Sequence, residues 1–491
     1  MFHRPHRRLL PVAAIVVSLA AVALAPTALA GGPTMAFGAA EDVVRSPDLV
    51  SARAKMALFR LAGFSAIRVT SQWLPGQFAP PEPELLTLRN VAAAAQLSGV
   101  KVYLSVYPPG SRSTPLTPEA REQFAAYLTL LAQQLPTVDD VIVGNEPNLN
   151  RFWLPQFNLD GTNAAAPAYL ALLARSYDAL KAVDPKLRVW GGALAPRGND
   201  RPGTIRDTHS PVKFLRDMGI AYRASRRALP VMDGLAFHPY ADSSGQSPDT
   251  PHPRSTTIGL ADYDRLIQSL ATAFDGTAQA GSTLPLLYDE FGVESKIPPG
   301  KAGAYTGAEP ATTRPVGEGI QGQYYARALQ LAFCQPNVTG ILLFHSQDEP
   351  ALANWQSGVY YADATPKSSL YAVRDALARS RSGSIARCEG LGLDVTATRV
   401  RFPTQSDLER GLRDVRFTCS LDCAWEVRAT SAGSGATRAR VTGYGRAGLP
   451  LVASLNGRRL GTGQIKLMLS LSHPVNPGVP QTRESRALSL R

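Results

Sequence analysis

Between residues 31 and 384 the chain repeats one pattern, a short apolar run followed by a longer stretch with apolar positions at helical spacing. The short runs fall at 34–38, 66–70, 100–106, 140–145, 188–192, 234–238, 284–289 and 340–345. Helical periodicity predicts helices between and after them near 47–62, 83–98, 118–135, 167–183, 211–227, 261–275, 320–334 and 367–379. In the third of these, Thr117 suits the cap and Pro118 the first turn, while Phe124, Leu128, Leu131 and Leu135 make one buried stripe. Eight such units predict an α/β fold, a closed (β/α)8 TIM barrel. An open doubly wound sheet would alternate in the same way, but no glycine-rich phosphate turn follows the first run.

The connections test that prediction, because in such a barrel the loops after strands build the site and those before strands only turn the chain. Turns before strands are brief here, as at Ser98-Gly99 and Asp184-Pro185-Lys186. Those after strands are long, at 147–167, 193–210, 241–259 and 292–319, which predicts a walled groove at the carboxyl end of the sheet. Beyond 381–384 the pattern becomes short alternating segments at 392–397, 415–418, 424–427 and 450–455, separated by glycines and arginines. They predict a small all-β, sandwich-like module over 385–491, after a barrel over 31–384.

Residues 1–30 carry Arg4, Arg7 and Arg8, then an apolar run from Leu9 to Leu24, then Ala28-Leu29-Ala30. This reads as a secretory signal cleaved near Gly31; an uncleaved membrane anchor is the alternative, for which the run is short. An exported chain with four cysteines favours disulfides over unpaired thiols, and the expected pairs are Cys334 with Cys388 and Cys419 with Cys423. The formal charge of +12 is uneven: residues 385–491 hold 16 basic against 8 acidic side chains, and the signal three more cations, leaving about +1 for the barrel. A basic module suits docking on an anionic envelope polymer, although solvated arginines on a surface would give the same count. No motif supports nucleic-acid binding, and no segment after the signal is apolar enough to span a membrane.

The chemistry sits at strand ends. Asn145-Glu146-Pro147-Asn148 follows Val141-Ile142-Val143, and Glu290 closes Leu286-Leu287-Tyr288-Asp289-Glu290. Two strand-end glutamates on one barrel are what cleavage of a glycosidic bond requires, one to protonate the leaving oxygen and one to attack or to activate water. Through these motifs, at the fourth and seventh strands, residues 34–380 resemble the clan A glycoside hydrolases, the superfamily that includes families 5 and 39. The resemblance implies that Glu146 is the acid/base and Glu290 the nucleophile of a retaining double displacement. It also implies that Arg68, at the end of the second strand, keeps the nucleophile ionised, and that His238 and Tyr240 hydrogen-bond near the two carboxyl groups. Asn145 is placed to bind a sugar 2-hydroxyl.

Trp73, Trp153 and Trp355, each in a loop after a strand, are candidate platforms for sugar rings, whereas Trp190 and Trp425 read as packing. His345 stands where many clan members have tryptophan. Asp289 is expected to face away from Glu290, as neighbouring strand residues do, and Glu294 to be solvated. No histidine cluster, Gly-x-Ser-x-Gly elbow or phosphate loop occurs, so no metal or other cofactor is expected. The expected activity is a secreted retaining glycoside hydrolase on an oligo- or polysaccharide, with β the expected linkage; a catalytically silent envelope carbohydrate-binding barrel is the alternative.

Overall fold

The computed structural model describes residues 32–382, 395–421, 423–446, 448–472 and 481–490. Residues 1–30, and with them the signal segment, lie outside the described residues. Eight parallel strands form a closed barrel in chain order: β1 (Ala36–Ala40), β2 (Ala66–Gln72), β3 (Lys101–Tyr107), β4 (Asp140–Val143), β5 (Arg188–Leu194), β6 (Gly234–Phe237), β7 (Leu286–Phe291) and β8 (Val338–Phe344). β8 closes on β1 through pairs from Ala36 with Gly340 to Ala40 with Phe344. The alternating helices are α1 (Leu49–Leu61), α2 (Glu82–Ser98), α3 (Pro118–Gln134), α4 (Ala165–Val183), α5 (Pro211–Ala224), α6 (Tyr263–Phe274), α7 (Glu318–Phe333) and α8 (Ser369–Arg381). β1 starts two residues later than its apolar run, because Gly32–Thr34 forms a 3-10 turn at the barrel entrance.

Local chemistry explains the boundaries. Asp48 caps α1, and Thr117 caps α3 by accepting from the Ala120 amide at 3.2 Å. One apolar layer fills the space between strands and helices, and Tyr103, Ile142, Trp190, Leu287 and Leu342 close a smaller core inside the barrel. Trp190 is therefore packing, as its sequence position predicts. Its Nε1 donates to buried Asp140 at 2.8 Å, and Asp140 also meets Lys101 and Arg188 at 3.0 and 2.7 Å. Gly234 makes room for that ring, since a Cβ there would lie 2.3 Å from it. This ion cluster seals the amino end of the barrel, so the opposite end is left to hold the site.

The C-terminal strands form two antiparallel sheets around one apolar core. The first has the order β13 (Pro450–Ser454), β10 (Asp414–Cys419), β9 (Ala397–Arg401). The second runs β12 (Thr437–Gly445), β11 (Cys423–Ser431), β14 (Gly463–Ser472), β15 (Gln481–Glu484), with β16 (Leu488–Leu490) also on β14. A short helix, α9 (Gln405–Glu409), links β9 to β10. Of the expected strand at 392–397, residues 392–394 lie outside the described residues, and only Ala397 of the rest belongs to a strand, as the start of β9. Trp425 packs 5.7 Å from Phe417 in this core, also as predicted.

Cys419 and Cys423 are joined as expected. Cys334 is disulfide-bonded, and the expectation of Cys388 as its partner falls on a position outside the described residues. Among the described residues no helix is long and apolar enough to cross a membrane.

Candidate active site

Glu146 owes its position to a turn that the strand could not make with ordinary residues. Gly144 at φ +91° and Glu146 at φ +41° carry β4 out of the sheet through left-handed conformations. A Cβ on Gly144 would also come within 2.9 Å of Tyr169. The Glu146 amide donates to Ala193 O at 2.9 Å, and Asn148 ties the loop to β5 through Ala195 O at 3.1 Å and the Ala195 amide at 3.0 Å. Held in this way, the Glu146 side chain keeps 15% of its surface open.

Glu290 reaches the same space by a different device. The register of β7 against β8 shifts between Tyr288 and Phe291, so the alternation of faces breaks there. Asp289 therefore does not face away, which corrects the expectation from simple alternation. Its side chain is fully buried at the barrel mouth, 3.4 Å from Arg68 Nε and 3.4 Å from His238 Nε2.

The predicted polar residues converge on the two glutamates. Arg68 donates to Glu290 Oε1, to Ser105 Oγ at 3.1 Å and to Asn145 Oδ1 at 2.8 Å. The last contact fixes the Asn145 amide, leaving its nitrogen for the groove that Asn145 lines. Burial alone would favour a neutral Arg68, but Glu290 and Asp289 reverse that and hold the guanidinium charged. Tyr240 donates to Glu290 Oε2 at 3.0 Å; burial and the adjacent Glu290 charge keep its hydroxyl protonated far above the ordinary range.

His238 Nδ1 lies 2.9 Å from Glu146 Oε1 and 3.4 Å from Glu290 Oε2. Burial opposes its charge, yet Glu290 and Asp289 push its pKa up to about 10, which favours the imidazolium. The two distances cap the separation of those carboxylate oxygens at their sum, about 6.3 Å.

These groups open into a cavity of about 930 Å³ whose walls come from the long loops after strands. Trp355 lines it, tilted against Tyr240 at 5.4 Å and edge-to-face with Phe344 at 5.1 Å. The other two candidate platforms are elsewhere. Trp73 is fully buried against Phe124 with its Nε1 bonded to Gln77 O, and Trp153 is 2% exposed against Tyr169. Both are core side chains, because their loops fold down onto helices α3 and α4 and do not rise beside the groove.

His345 lines the groove at φ +68°, 3.8 Å from Glu41 and 3.6 Å from Glu349. Glu41, which no sequence motif marks, is buried just past β1 and accepts from the Val43, Ser346 and Gln347 amides at 2.8, 2.9 and 3.2 Å, tying β1 to β8. Glu294 is not solvated: it is 9% exposed in the groove wall, and burial together with Glu309 pushes its pKa up to about 7. The sequence signal for it is the alternation of Phe291 and Val293, which continues the buried pattern beyond Glu290.

No family model matches the chain, and neither does any curated protein. Among solved structures it is similar to GH5_18 from Streptomyces cattleya in complex with GlcNAc, at 17% identity and a TM-score of 0.48 over 72% of this chain and 81% of that one. It is also similar to a monomeric β-xylosidase from Caulobacter crescentus CB15, at 15% identity and a TM-score of 0.45 over 87% and 95%. The exo-β-1,4-mannosidase of Opitutaceae bacterium strain TAV5 follows at 18% and 0.45, over 71% and 60%.

The geometry itself defines a chemistry. One carboxyl group is tied to two donors that stabilise its anion, and a second stands across a shared imidazolium from it. Both line a cavity of about 930 Å³ that Trp355 also lines.

Proposed function

We propose that this chain is a secreted retaining glycoside hydrolase acting on a β-linked oligo- or polysaccharide. The observation that carries the reading is the cap of about 6.3 Å between Glu146 Oε1 and Glu290 Oε2. A retaining pair sits roughly 5–5.5 Å apart, a separation that this arrangement admits, whereas inverting pairs sit roughly 6.5–9.5 Å apart to seat a water between carboxylate and sugar. In the proposed mechanism Glu290, which accepts hydrogen bonds from Arg68 and Tyr240, attacks the anomeric carbon. Glu146 gives its proton to the departing glycosidic oxygen. Water then displaces Glu290 while Glu146 takes the proton back. Asn145 offers its amide to the 2-hydroxyl, and Trp355 stacks on a sugar face.

A panel of activated aryl β-glycosides tests the proposal. Wild type should release the aryl group with retention at the anomeric centre. Glu290→Ala should fall to background, and added azide should restore turnover by entering the vacated space. Glu146→Gln should lower kcat by about 10²–10⁴-fold on substrates with poor leaving groups. Cleavage of nothing on the panel, with sugar binding retained, would favour a carbohydrate-binding barrel. Export belongs to the same proposal and rests on the pattern of residues 1–30; the secreted protein should begin near Gly31 by N-terminal sequencing. Docking of the basic 385–491 segment on an anionic polymer predicts binding that weakens steeply with salt, and salt-independent binding would exclude it.

A further inference from the structure

Asp289 is a buried carboxylate at the barrel mouth to which the proposed reaction assigns no task. We infer that Asp289 is a positioning residue that holds His238 as an imidazolium and Arg68 in register, so that the buried site keeps a constant net charge while Glu146 and Glu290 react. The inference rests on the double-displacement reading.

The geometry is that of a counter-ion set behind two cations. Asp289 Oδ2 is 3.4 Å from Arg68 Nε, and Oδ1 is 3.4 Å from His238 Nε2. The opposite edges of the same cations face the reacting groups: Arg68 donates to Glu290, and His238 Nδ1 meets Glu146 at 2.9 Å and Glu290 at 3.4 Å. The charged and titratable groups around His238 are thus Glu146 from the β4 end, Asp289 and Glu290 from β7, and Tyr240, whose ring lies 6.2 Å away. Arg68 on β2 lies beyond Asp289.

The double displacement requires Glu146 to enter with its proton and Glu290 as the anion; with Arg68 and His238 positive and Asp289 negative, these five groups are then counted together. The sum is zero. In the first step a Glu290 oxygen bonds to the anomeric carbon, the bond to the leaving oxygen breaks, and the Glu146 proton moves to that oxygen. Glu290 becomes a neutral ester and Glu146 an anion, so the sum is again zero.

A change of net charge in a buried site is costly, and among these five groups the proposed step makes none. Without Asp289 the cluster would hold an excess positive charge throughout, relieved most easily by loss of the His238 proton. As an imidazolium, His238 must donate from Nδ1 to Glu146 Oε1. That directs the Glu146 proton onto its other oxygen, where a leaving group can receive it. The electrostatics agree in direction: burial opposes a charged Asp289, but His238 and Arg68 hold its pKa below the ordinary value.

The test is side-chain nitrogen NMR of His238 in wild type and in Asp289→Asn, together with kinetics. Both ring nitrogens should stay protonated through pH 8 in wild type. In the variant the ring should titrate about two pH units lower. The basic limb of the kcat profile should move down with it, and kcat should fall about 10–100-fold with KM nearly unchanged. Adding Asp289→Asn to a His238→Gln background should cost less than about twofold more, since the two act as a unit.

A wild-type ring that is neutral at pH 7.5 overturns the inference without any variant having to fold, and so does a titration unaffected by Asp289→Asn. Should the chain cleave no glycoside at all, the functional reading fails, while the His238 titration still decides the charge assignment.

Discussion

At the mouth of the barrel the Arg68 side chain is 3% exposed and lies between two carboxylates, Asp289 fully buried and Glu290 12% exposed. In the C-terminal sheets Arg428 and Arg440 are 37% and 62% exposed and share the single carboxylate of Glu426. Both are two-to-one ionic clusters, yet water can screen only the second. In the first, removing Arg68 leaves both carboxylates dependent on the cation of His238 alone, in a low dielectric. The difference separates charges the fold needs for chemistry from charges it tolerates at its surface.

The comparison is broken most severely at Arg68. Arg68→Ala should destabilise the chain by about 3–5 kcal/mol in urea melts, because two carboxylates lose their cation; a cost under about 1 kcal/mol would make the barrel cluster no different from the surface one. A pH series comes next. The folded pKa of His238 is raised from 6.5 to about 10, so its stabilising contribution is complete below pH 6.5 and is lost as pH rises towards 10. Thermal melts of wild type should therefore fall over that window by roughly 5 °C, and those of His238→Gln should be flatter.

Glu294 sharpens the contrast with a sign reversal. Its pKa is raised from 4.5 to about 7, so its burial costs stability progressively as pH rises between those values. Glu294→Gln should match wild type at pH 4 and exceed it at pH 8 by about 1–3 kcal/mol; equal stability at both would place the carboxylate in water. The smallest effect belongs to the surface. Glu426→Gln should cost less than about 1 kcal/mol, and less again in 1 M salt, and chemical denaturation at two salt concentrations would register anything larger.

Strands buried on both faces read as plain apolar runs, so all eight are legible in the sequence alone, and counting them puts Glu146 and Glu290 at β4 and β7. Arg68, His238 and Tyr240 are legible for a related reason: a polar residue ending an apolar strand of a barrel has few places to go but the mouth. The features that are not legible depend on neighbours distant in sequence. The register shift that turns Asp289 inward is a property of β7 against β8, and nothing in Tyr288-Asp289-Glu290-Phe291 encodes it locally. Trp73 and Trp153 share loop positions with Trp355, and only the packing of Phe124 and Tyr169 decides that they are buried. Glu41 binds amides some 300 positions away, beyond the reach of any sequence window.

Every strand of the closed barrel is paired on both sides, but among the described residues each of the two C-terminal sheets ends in strands paired on one side only, at which a second molecule's strand could add. Three of those edges carry cations, Arg399 and Arg401 on β9, Arg438 and Arg440 on β12 and Arg483 on β15, whereas β13 carries none. Like charges facing each other across an approaching edge repel, which is how natural sheets resist fusing into larger ones. The arginines on these edge strands thus stand where an approaching strand would have to add, a position that the closed barrel does not offer.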